Sequence, residues 1–347
     1  MTGIDGCFLP WRSLAVWCGG QAGLTERWLA VRLADEFAGP PMDPGPLAGY
    51  AGLLATASDS SGPELVDVAV RRWLVSAGEF HALDEPEALR RRSFLRNSAL
   101  LLAATEVGRR DVATEPALKR LFSYQHANGG FFGMDPGQGH GHVDAFTTAW
   151  GGRVALRYGM FDRARLAAHL LADLIVMQPD PENRYYFTYD TQAGTVVTRW
   201  RGGLPHERFL DRQEPAGEAH QLGMALAFLS EIHLAEPPAG WDRALGLGLA
   251  FALRCSPTLR RLPSLGCVAE GLALSALALG KRGSEARPLL AESIEAIARQ
   301  ALPSGGFPAC DCGVGRDYER GFTDLETSGW MALSLRSLAG ALIQLDD

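Results

Sequence analysis

Apolar residues recur at intervals of three and four along most of the chain, which is the periodicity of amphipathic helices. Gly, Pro and Asp residues separate most of these segments, as is typical of helix ends and short connections. The pattern predicts about twelve helices, over Leu24–Phe37, Leu47–Thr56, Glu64–Ala77, Phe94–Glu106, Glu115–Gln125, Val143–Tyr158, Asp162–Met177, Glu218–His233, Trp241–Cys255, Cys267–Leu279, Ser284–Gln300 and Asp324–Leu345.

Two kinds of helix alternate in this pattern. One kind carries charges along a single face, as in Ser284–Gln300, and is expected to be half-exposed. The other kind is small and apolar nearly all round, as in Gly223–Leu229 and Leu272–Leu277, and is expected to be buried on both sides. Because the buried helices recur at intervals of roughly 45–75 residues, we predict a repeat architecture. The sequence therefore predicts one all-α domain over residues 1–347, an (α/α)6 toroid of outer and inner helices around a central cavity.

One segment departs from the helical pattern. Tyr185–Tyr189 and Thr195–Thr198 are rich in aromatic and β-branched residues, and Asp190–Gly194 lies between them. This composition predicts a β-hairpin inserted between an outer and an inner helix. We expect such an insertion at the lip of the cavity or at an oligomer contact, and the sequence leaves homo-oligomerisation open.

Charge and composition exclude several classes of function. The net charge is -7, from 33 basic and 40 acidic residues, and the longest basic block is Arg90–Arg92. This distribution argues against a nucleic-acid surface and against electrostatic binding to a membrane. The longest apolar run, around Leu272–Leu279, is too short to span a bilayer. Residues 1–11 lack the features of a signal peptide, so we expect a soluble cytoplasmic protein with six reduced cysteines.

Two segments of the chain repeat one another. Gln125–Phe131 contains a Gly-Gly-Phe turn and leads to Asp144–Trp150, and Pro303–Phe307 leads in the same way to Asp324–Trp330. In both segments the inner helix thus opens with Asp-x-x-Thr-x-x-Trp. This arrangement resembles the repeats of the superfamily of squalene–hopene cyclases, other terpenoid cyclases and protein prenyltransferase β-subunits. The resemblance implies an α/α toroid that binds a small, largely apolar substrate.

The chain also departs from both branches of that superfamily. The Asp-x-Asp-Asp motif that protonates substrate in class II terpene cyclases is absent. The nearest match to the prenyltransferase zinc ligands is Asp324-Leu325-Glu326, which has no cysteine and no later histidine. Neither activity therefore carries over from the resemblance. Other α/α toroids, such as sugar epimerases, uronyl hydrolases and linalool dehydratase-isomerase, resemble the chain more weakly.

Polar residues at the N-termini of the inner helices are the best candidates for catalysis, because these ends face one rim of a toroid and favour anions. Asp144 and Asp324 are candidate acids or bases, and N-capping is the alternative role of each. Glu326 is a further candidate. Glu218 and His220 open another inner helix, where an apolar cavity would shift their pKa values. The alternative is a capping acid beside a hydrogen-bonded histidine.

Candidate substrate-binding residues follow from the same arrangement: His140, His142, Phe146, Trp150, Tyr185, Tyr186, Cys310, Cys312 and Trp330. Aromatic faces suit a carbocation or an apolar chain, although aromatics at helical spacing are more often core. His140 and His142 correspond to Cys310 and Cys312 in the two repeats. Their loops lie across the ring and Cys-x-Cys is short of the usual zinc spacing, so we expect no metal. No cofactor motif is present.

Three functions remain open from the sequence. The first is a terpenoid-cyclase-like enzyme that performs acid/base cyclisation, isomerisation or (de)hydration. The second is a carbohydrate-active toroid, an epimerase, lyase or glycoside hydrolase using the same carboxylates. The third is a binding scaffold without catalysis.

Overall fold

A computed structural model describes residues 10–38, 63–67, 93–108, 114–133, 141–199, 209–213, 219–237, 240–255, 264–308 and 324–346. The helices with stated bounds within these ranges are α1 (Trp11–Ala38), α2 (Ser93–Glu106), α3 (Glu115–Phe122), α4 (Ala145–Arg157), α5 (Phe161–Val176), α6 (Ala219–Ala235), α7 (Asp242–Arg254), α8 (Ser264–Leu279), α9 (Arg287–Gln300) and α10 (Asp324–Asp346). None of the helices in the described ranges combines the length and the apolarity needed to cross a bilayer.

The predicted all-α fold is confirmed, and most helix ends lie within three residues of their predicted positions. The largest difference is at the first helix, which begins at Trp11 rather than Leu24. The added part of the helix contains Gly19, Gly20 and Gly23. A Cβ at Gly19 would lie 3.7 Å from Cβ of Ala339, an ordinary contact distance, so α1 packs along α10 through this part of the helix without strain. Predicted helix Leu47–Thr56, and most of Glu64–Ala77, lie outside the described residues.

The small apolar helices pack side by side in the order α2, α4, α6, α8 and α10. The approach of α6 to α8 is close enough to bring their backbones together. A Cβ built on Gly271 would lie 2.5 Å from the carbonyl oxygen of Gly223. Further along the same pair, the hydroxyls of Ser230 and Ser275 are 3.2 Å apart and hydrogen-bonded. Contacts therefore run in the same direction along both helices, so α6 and α8 are parallel. α4 runs parallel to α6 as well, because the amide of Phe146 donates to Gln221 and Arg153 donates to Glu231.

The helices with a charged face pack outside this row. α5 packs on α4, α7 on α5 and α6, and α9 on α8. α1 packs along α10, where Leu29, Leu33 and Ala332 form a buried cluster. The first and last described helices are thus in contact.

The two Gly-Gly-Phe turns have the same geometry. Gly129 and Gly305 both adopt φ of 98°, a conformation that other residues rarely take. A Cβ on Gly129 would also lie 2.0 Å from the carbonyl oxygen of Leu166, so only glycine fits between the turn and α5. The amide of Phe131 donates to Oγ1 of Thr148 over 3.1 Å, and that of Phe307 donates to Oγ of Ser328 over 2.8 Å. Each turn is thereby fixed to the first turns of an inner helix.

The predicted β-hairpin is present, but it belongs to a three-stranded sheet and is accompanied by a second, two-stranded sheet. Strands β3 (Thr188–Asp190) and β4 (Thr195–Val196) do form an antiparallel hairpin, but β1 (His142–Asp144) pairs with the other edge of β3. Strand β2 (Arg184–Tyr186) pairs instead with β5 (Phe209–Asp211) in a second sheet. β1 and β5 are three-residue strands and carry no recognisable period in the sequence. The register places the hairpin beside the start of α4, because Asp144 lies opposite Thr188.

Candidate active site

One face of α4 supplies the centre of the site. Phe146, Trp150, Arg153 and Arg157 follow one another at intervals of four, three and four residues, so they lie along a single helix face. Phe146 is near the start of the helix and Arg157 is its last residue. The inner helices are parallel, so this face runs from an aromatic end at the helix N-termini to a charged end deeper in the molecule.

Four predicted residues meet at the aromatic end. The indole rings of Trp150 and Trp330 are 5.2 Å apart at 70°, which is an edge-to-face contact. Phe146 contacts Trp330 at 6.0 Å, and it contacts the ring of His220 at 4.8 Å and 90°. Such contacts stabilise aromatic pairs and fix the orientation of each ring. Trp150 is 3% exposed, and its Nε1 has no hydrogen-bond partner among the described residues.

Asp144 is the N-cap of α4. One carboxylate oxygen accepts a hydrogen bond of 2.8 Å from the amide of Thr147, and the other accepts one of 2.7 Å from the hydroxyl of the same residue. This is the geometry that satisfies an unpaired amide at a helix start. The capping role is therefore present, and a role of Asp144 in catalysis stays a prediction.

The start of α6 is tied to the start of α4. The side-chain oxygen of Gln221 accepts a hydrogen bond of 2.9 Å from the amide of Phe146. His220 precedes Gln221 and places its imidazole against the ring of Phe146. This imidazole is half-buried and lies at the aromatic end of the site.

A cavity of about 240 Å³ lies between the inner helices below the aromatic end. Its lining is apolar and aromatic in part, but six of its residues carry ionisable charge. The residues are Leu102, Glu106, Trp150, Arg153, Arg157, Met224, Glu231, Cys267, Glu270, Trp330, Leu333, Ser334, Arg336 and Ser337. The cavity therefore offers aromatic faces to one part of a ligand and hydrogen bonds to another part.

The charged end centres on Arg153. Its Nε donates to Oε2 of Glu231 over 2.9 Å, and its Nη2 donates to Oε1 of Glu270 over 2.8 Å. Burial opposes the charge of Arg153, but the two carboxylates outweigh burial and raise its pKa. Burial raises the pKa of Glu231, Arg153 lowers it, Glu270 raises it, and the net shift is upward. A buried charge of this kind persists only where it is paired.

Arg153, Glu231 and Glu270 are absent from the residues predicted by sequence, although a signal was available. Each is a single charge inside a helix that is otherwise apolar, within Ala145–Leu156, Leu222–Ile232 and Leu265–Leu279 respectively. A charge in such a helix is buried, and a buried charge requires a partner of opposite sign. One arginine and two glutamates on neighbouring inner helices meet that requirement.

Cys267 also lines the cavity, and burial raises the pKa of its thiol to about 12, with Glu270 adding to the shift. The thiol is therefore protonated at neutral pH and is not an activated nucleophile.

Several predicted binding residues lie away from this cavity. Tyr185 is 2% exposed and packs between Phe187 and Phe251 of α7, at 5.9 and 6.0 Å. Burial raises the pKa of Tyr185. Tyr186 contacts Phe209 at 5.3 Å across the second sheet. Tyr185 thus holds β2 on α7, whereas Tyr186 packs within the second sheet, and a role of either residue in substrate binding stays a prediction.

His142 lies in β1, with Nε2 3.8 Å from a carboxylate oxygen of Asp190 on β3. Hydrogen bonds from the amides of Ala193 and Gln192 hold the pKa of Asp190 below its usual value, and His142 contributes in the same direction. The pair connects the hairpin to the segment that leads into α4.

Other predicted site residues cannot be placed. Glu218, His140, Cys310 and Cys312 lie outside the described residues. Asp324 and Glu326 are in the first turn of α10, and their side chains are outside the described part of the chain. Within the described part, no three His, Cys, Asp or Glu side chains are grouped to hold a metal ion. The expectation that the protein binds no metal stays a prediction.

Comparison with known proteins supports the fold. No protein-family model and no curated protein matches the sequence. Among solved structures, the type II terpene cyclase MstE from Scytonema is similar over 94% of this chain and 99% of its own, at 15% identity and a TM-score of 0.54. A variant of MstE with an aspartate replaced by asparagine, in complex with its substrate geranylgeranyl dihydroxybenzoate, is similar over 94% and 99%, at 14% identity and a TM-score of 0.51. The chain therefore has a terpenoid-cyclase-like fold.

Proposed function

We propose that this protein is an enzyme of the terpenoid-cyclase type, which performs acid/base cyclisation, isomerisation or (de)hydration of a small, largely apolar substrate in its central cavity. The observation that carries the proposal is the cavity itself, where Trp150 and Trp330 line the same space as Arg153, Glu231 and Glu270. A fold shared with an enzyme that binds geranylgeranyl dihydroxybenzoate supports it.

The aromatic residues have a clear use in such a reaction. Ring faces attract a cation by up to about 2 kcal/mol or more where water is excluded. Trp150 and Trp330 are held edge-to-face, so neither ring can turn freely when a substrate enters. A carbocation formed in the cavity would be stabilised by rings that are already in position.

Proton transfer requires acids and bases around the same space. Of the five candidates predicted by sequence, His220 contacts the aromatic cluster, while Asp144 uses both carboxylate oxygens to cap α4. Glu218, Asp324 and Glu326 are kept as candidates because they open the inner helices α6 and α10. No metal or cofactor is proposed.

The charged part of the lining favours a second candidate, a carbohydrate-active toroid. Arg157, Glu106 and Arg336 add polar groups to the cavity, and sugars are bound through such groups. The terpenoid proposal is preferred because the rings and aliphatic side chains of Leu102, Met224 and Leu333 share the lining. An open cavity argues against a scaffold without catalysis.

The test is an assay of two substrate panels with product analysis by mass spectrometry. One panel contains prenylated aromatics and terpene alcohols of increasing length, and the other contains unsaturated uronides and simple glycosides. We expect turnover in the first panel, giving products of unchanged mass or differing by one water. Turnover of glycosides or uronides alone would establish the second candidate and reject the first.

Matched variants distinguish the loss of an aromatic ring from the cavity from the loss of a ring that serves only packing. Trp330→Leu removes a ring from the cavity and should lower kcat by about thirtyfold, the equivalent of about 2 kcal/mol of lost cation stabilisation. Trp241→Leu removes an equally large ring from the start of α7, where it contacts His169 at 5.7 Å. This control should lower stability and leave kcat unchanged. Equal effects of the two variants on kcat would contradict the proposed role of the cavity rings.

A further inference from the structure

The charged end of the cavity is built from three neighbouring inner helices. Arg153 on α4 donates to Glu231 on α6 over 2.9 Å and to Glu270 on α8 over 2.8 Å. The same guanidinium lies against the sulfur of Met224, with Nη1 3.8 Å away. A single arginine thus bridges two carboxylates from different helices.

The two carboxylates are held differently. Glu270 has a side chain only 6% exposed, and its second oxygen accepts a hydrogen bond of 3.4 Å from the hydroxyl of Ser334. Both of its oxygens are therefore acceptors, which suits an ionised carboxylate. The side chain of Glu231 is 22% exposed, and within the described part of the chain its Oε1 forms no hydrogen bond. One oxygen of Glu231 is thus held by Arg153, and the other accepts no hydrogen bond from the residues that the structure describes.

Charge counting around the cluster gives an excess of one negative charge when both glutamates are ionised. Of the other charged residues that line the cavity, Arg157 lowers the pKa of Glu231, but its side chain is 58% exposed and it also pairs with Glu106 on α2, 3.6 Å away. Arg336 is paired with Glu26 on α1, and its Nε donates to that carboxylate over 3.0 Å. Cys267 faces the cluster as a neutral thiol, because burial raises its pKa. A proton on one glutamate removes the excess at a buried position, where an unpaired charge is costly.

We infer that Glu231 holds an exchangeable proton at the charged end of the cavity, and that Glu270 is the fixed counter-ion that keeps Arg153 charged. The free Oε1 of Glu231 and its exposure to the cavity assign the proton to this residue rather than to Glu270. Burial raises the pKa of Glu231, which agrees with this assignment.

The catalytic use of this proton rests on the proposed function and makes its substrate more specific. A donor at the charged end and aromatic rings in the same cavity fit a terpenoid with an oxygen atom, a hydroxyl or an epoxide. Glu231 donates its proton to that oxygen as the C–O bond breaks, and the electron pair of the bond goes to oxygen. The carbocation is held by the rings. The carboxylate, paired with Arg153, then takes a proton from a neighbouring carbon, which forms a double bond and restores the acid without a co-reactant.

Infrared spectroscopy tests the proton itself, independently of any substrate. Protonated and ionised carboxyl groups absorb separately, so the spectrum of the full-length protein at neutral pH is compared with that of Glu231→Gln. We expect Glu231→Gln to lose one carboxylic-acid band. Glu236→Gln is the control, because Glu236 is paired with Arg165 at 2.7 Å and its pKa is lowered. The control should lose no carboxylic-acid band. An unchanged carboxylic-acid region in Glu231→Gln would overturn the inference.

A second variant tests the division of roles. In Glu270→Gln the negative charge that favours a proton on Glu231 is gone, and Glu231 becomes the counter-ion of Arg153. Its carboxylic-acid band should therefore disappear. Persistence of that band in folded Glu270→Gln would contradict the assignment. The comparison of wild type with Glu231→Gln decides the main point even where Glu270→Gln does not fold.

Activity then separates this inference from the proposed function. With an oxygenated terpenoid that the enzyme converts, Glu231→Gln should lower kcat by roughly a hundredfold, the usual value of a general acid. Glu270→Gln should lose activity at neutral pH and regain it at lower pH, where Glu231 is again protonated. Loss of the infrared band with full kcat in Glu231→Gln would reject the catalytic role alone. Absence of turnover with every terpenoid would reject the proposed function and leave the infrared result standing.

Discussion

Replacement of Gly271 by alanine tests whether the packing of the inner helices depends on backbone contact between them. Gly271 is in the middle of α8, and a Cβ at this position would lie 2.5 Å from the carbonyl oxygen and 3.1 Å from the Cα of Gly223 on α6. Both are backbone atoms, so no flexible side chain can move aside. Ordinary contact begins near 3.4 Å, and the two helices must therefore separate by about 0.9 Å at this point.

The expected magnitude follows from two opposing effects. Alanine is favoured over glycine inside a helix by about 1 kcal/mol. Overpacking of a close contact typically costs about 1–3 kcal/mol, and the upper part of that range applies where only backbone can yield. Separation also lengthens the hydrogen bond between Ser230 and Ser275, now 3.2 Å, which contributes about 1 kcal/mol. We therefore expect Gly271→Ala to lower the free energy of unfolding by about 2 kcal/mol.

The assay is urea unfolding followed by circular dichroism, with Gly246→Ala as the matched control. Gly246 is also inside a helix, α7, and a Cβ there would meet nothing within 4 Å. The control gains the helix preference without the clash and should be more stable by up to about 1 kcal/mol. If both variants are stabilised equally, the close approach of α6 and α8 is wrong.

Two further predictions concern single side chains. Asp144→Ala should lower the free energy of unfolding by about 1 kcal/mol, because the amide of Thr147 loses its partner. Asp144→Asn keeps a capping side chain and should retain both stability and turnover if Asp144 is only a cap. A hundredfold loss of kcat in a stable Asp144→Asn would establish the catalytic role instead. Cys18, Cys255 and Cys267 are free, and burial raises the pKa of each thiol to about 12, so these three should react with iodoacetamide at pH 8 only after unfolding. Rapid labelling of Cys267 in the native protein, located by peptide mass spectrometry, would contradict the buried position.

The pH dependence of stability tests the raised pKa of Glu231 without a substrate and complements the infrared measurement. A carboxyl group with a pKa raised above the ordinary value of 4.5 binds its proton more tightly in the folded protein than in the unfolded chain. The contribution of this group to the free energy of unfolding is therefore complete below the ordinary pKa and declines as pH rises through the pKa of the folded protein. Stability of the wild type relative to Glu231→Gln should fall with rising pH over this interval.

The sequence by itself determined the helices and the type of their arrangement. Three-and-four periodicity located most helix ends within a few residues, because each helix buries a continuous stripe or its whole surface. The alternation of charged and small apolar helices predicted an α/α fold, and the repeated Gly-Gly-Phe turns carried its resemblance to the terpenoid cyclases. The first helix was predicted too short, because the helix continues without a break through Gly19, Gly20 and Gly23 to begin at Trp11.

The site was determined by sequence only in part. Motif spacing identified Phe146, Trp150, His220 and Trp330, and the parallel packing of inner helices brings these four rings together. The same rule led to Asp144, whose carboxylate is directed at its own helix start. A preferred capping residue and a residue at a cavity rim occupy the same position in the chain, so sequence alone could not separate the two roles.

Only the tertiary structure decided the charged end of the cavity. Glu231 lies 78 residues after Arg153 in the chain, and Glu270 lies 117 residues after it. No local pattern in the sequence therefore links the three residues. A single charge in an apolar helix indicates that a partner exists but not which helix supplies it. That choice depends on which inner helices are neighbours and on their register, and both are set by contacts such as that between Gly223 and Gly271. The difference between the two glutamates depends on the exposure of each side chain and on the contact with Ser334, and both arise only once the inner helices have packed together.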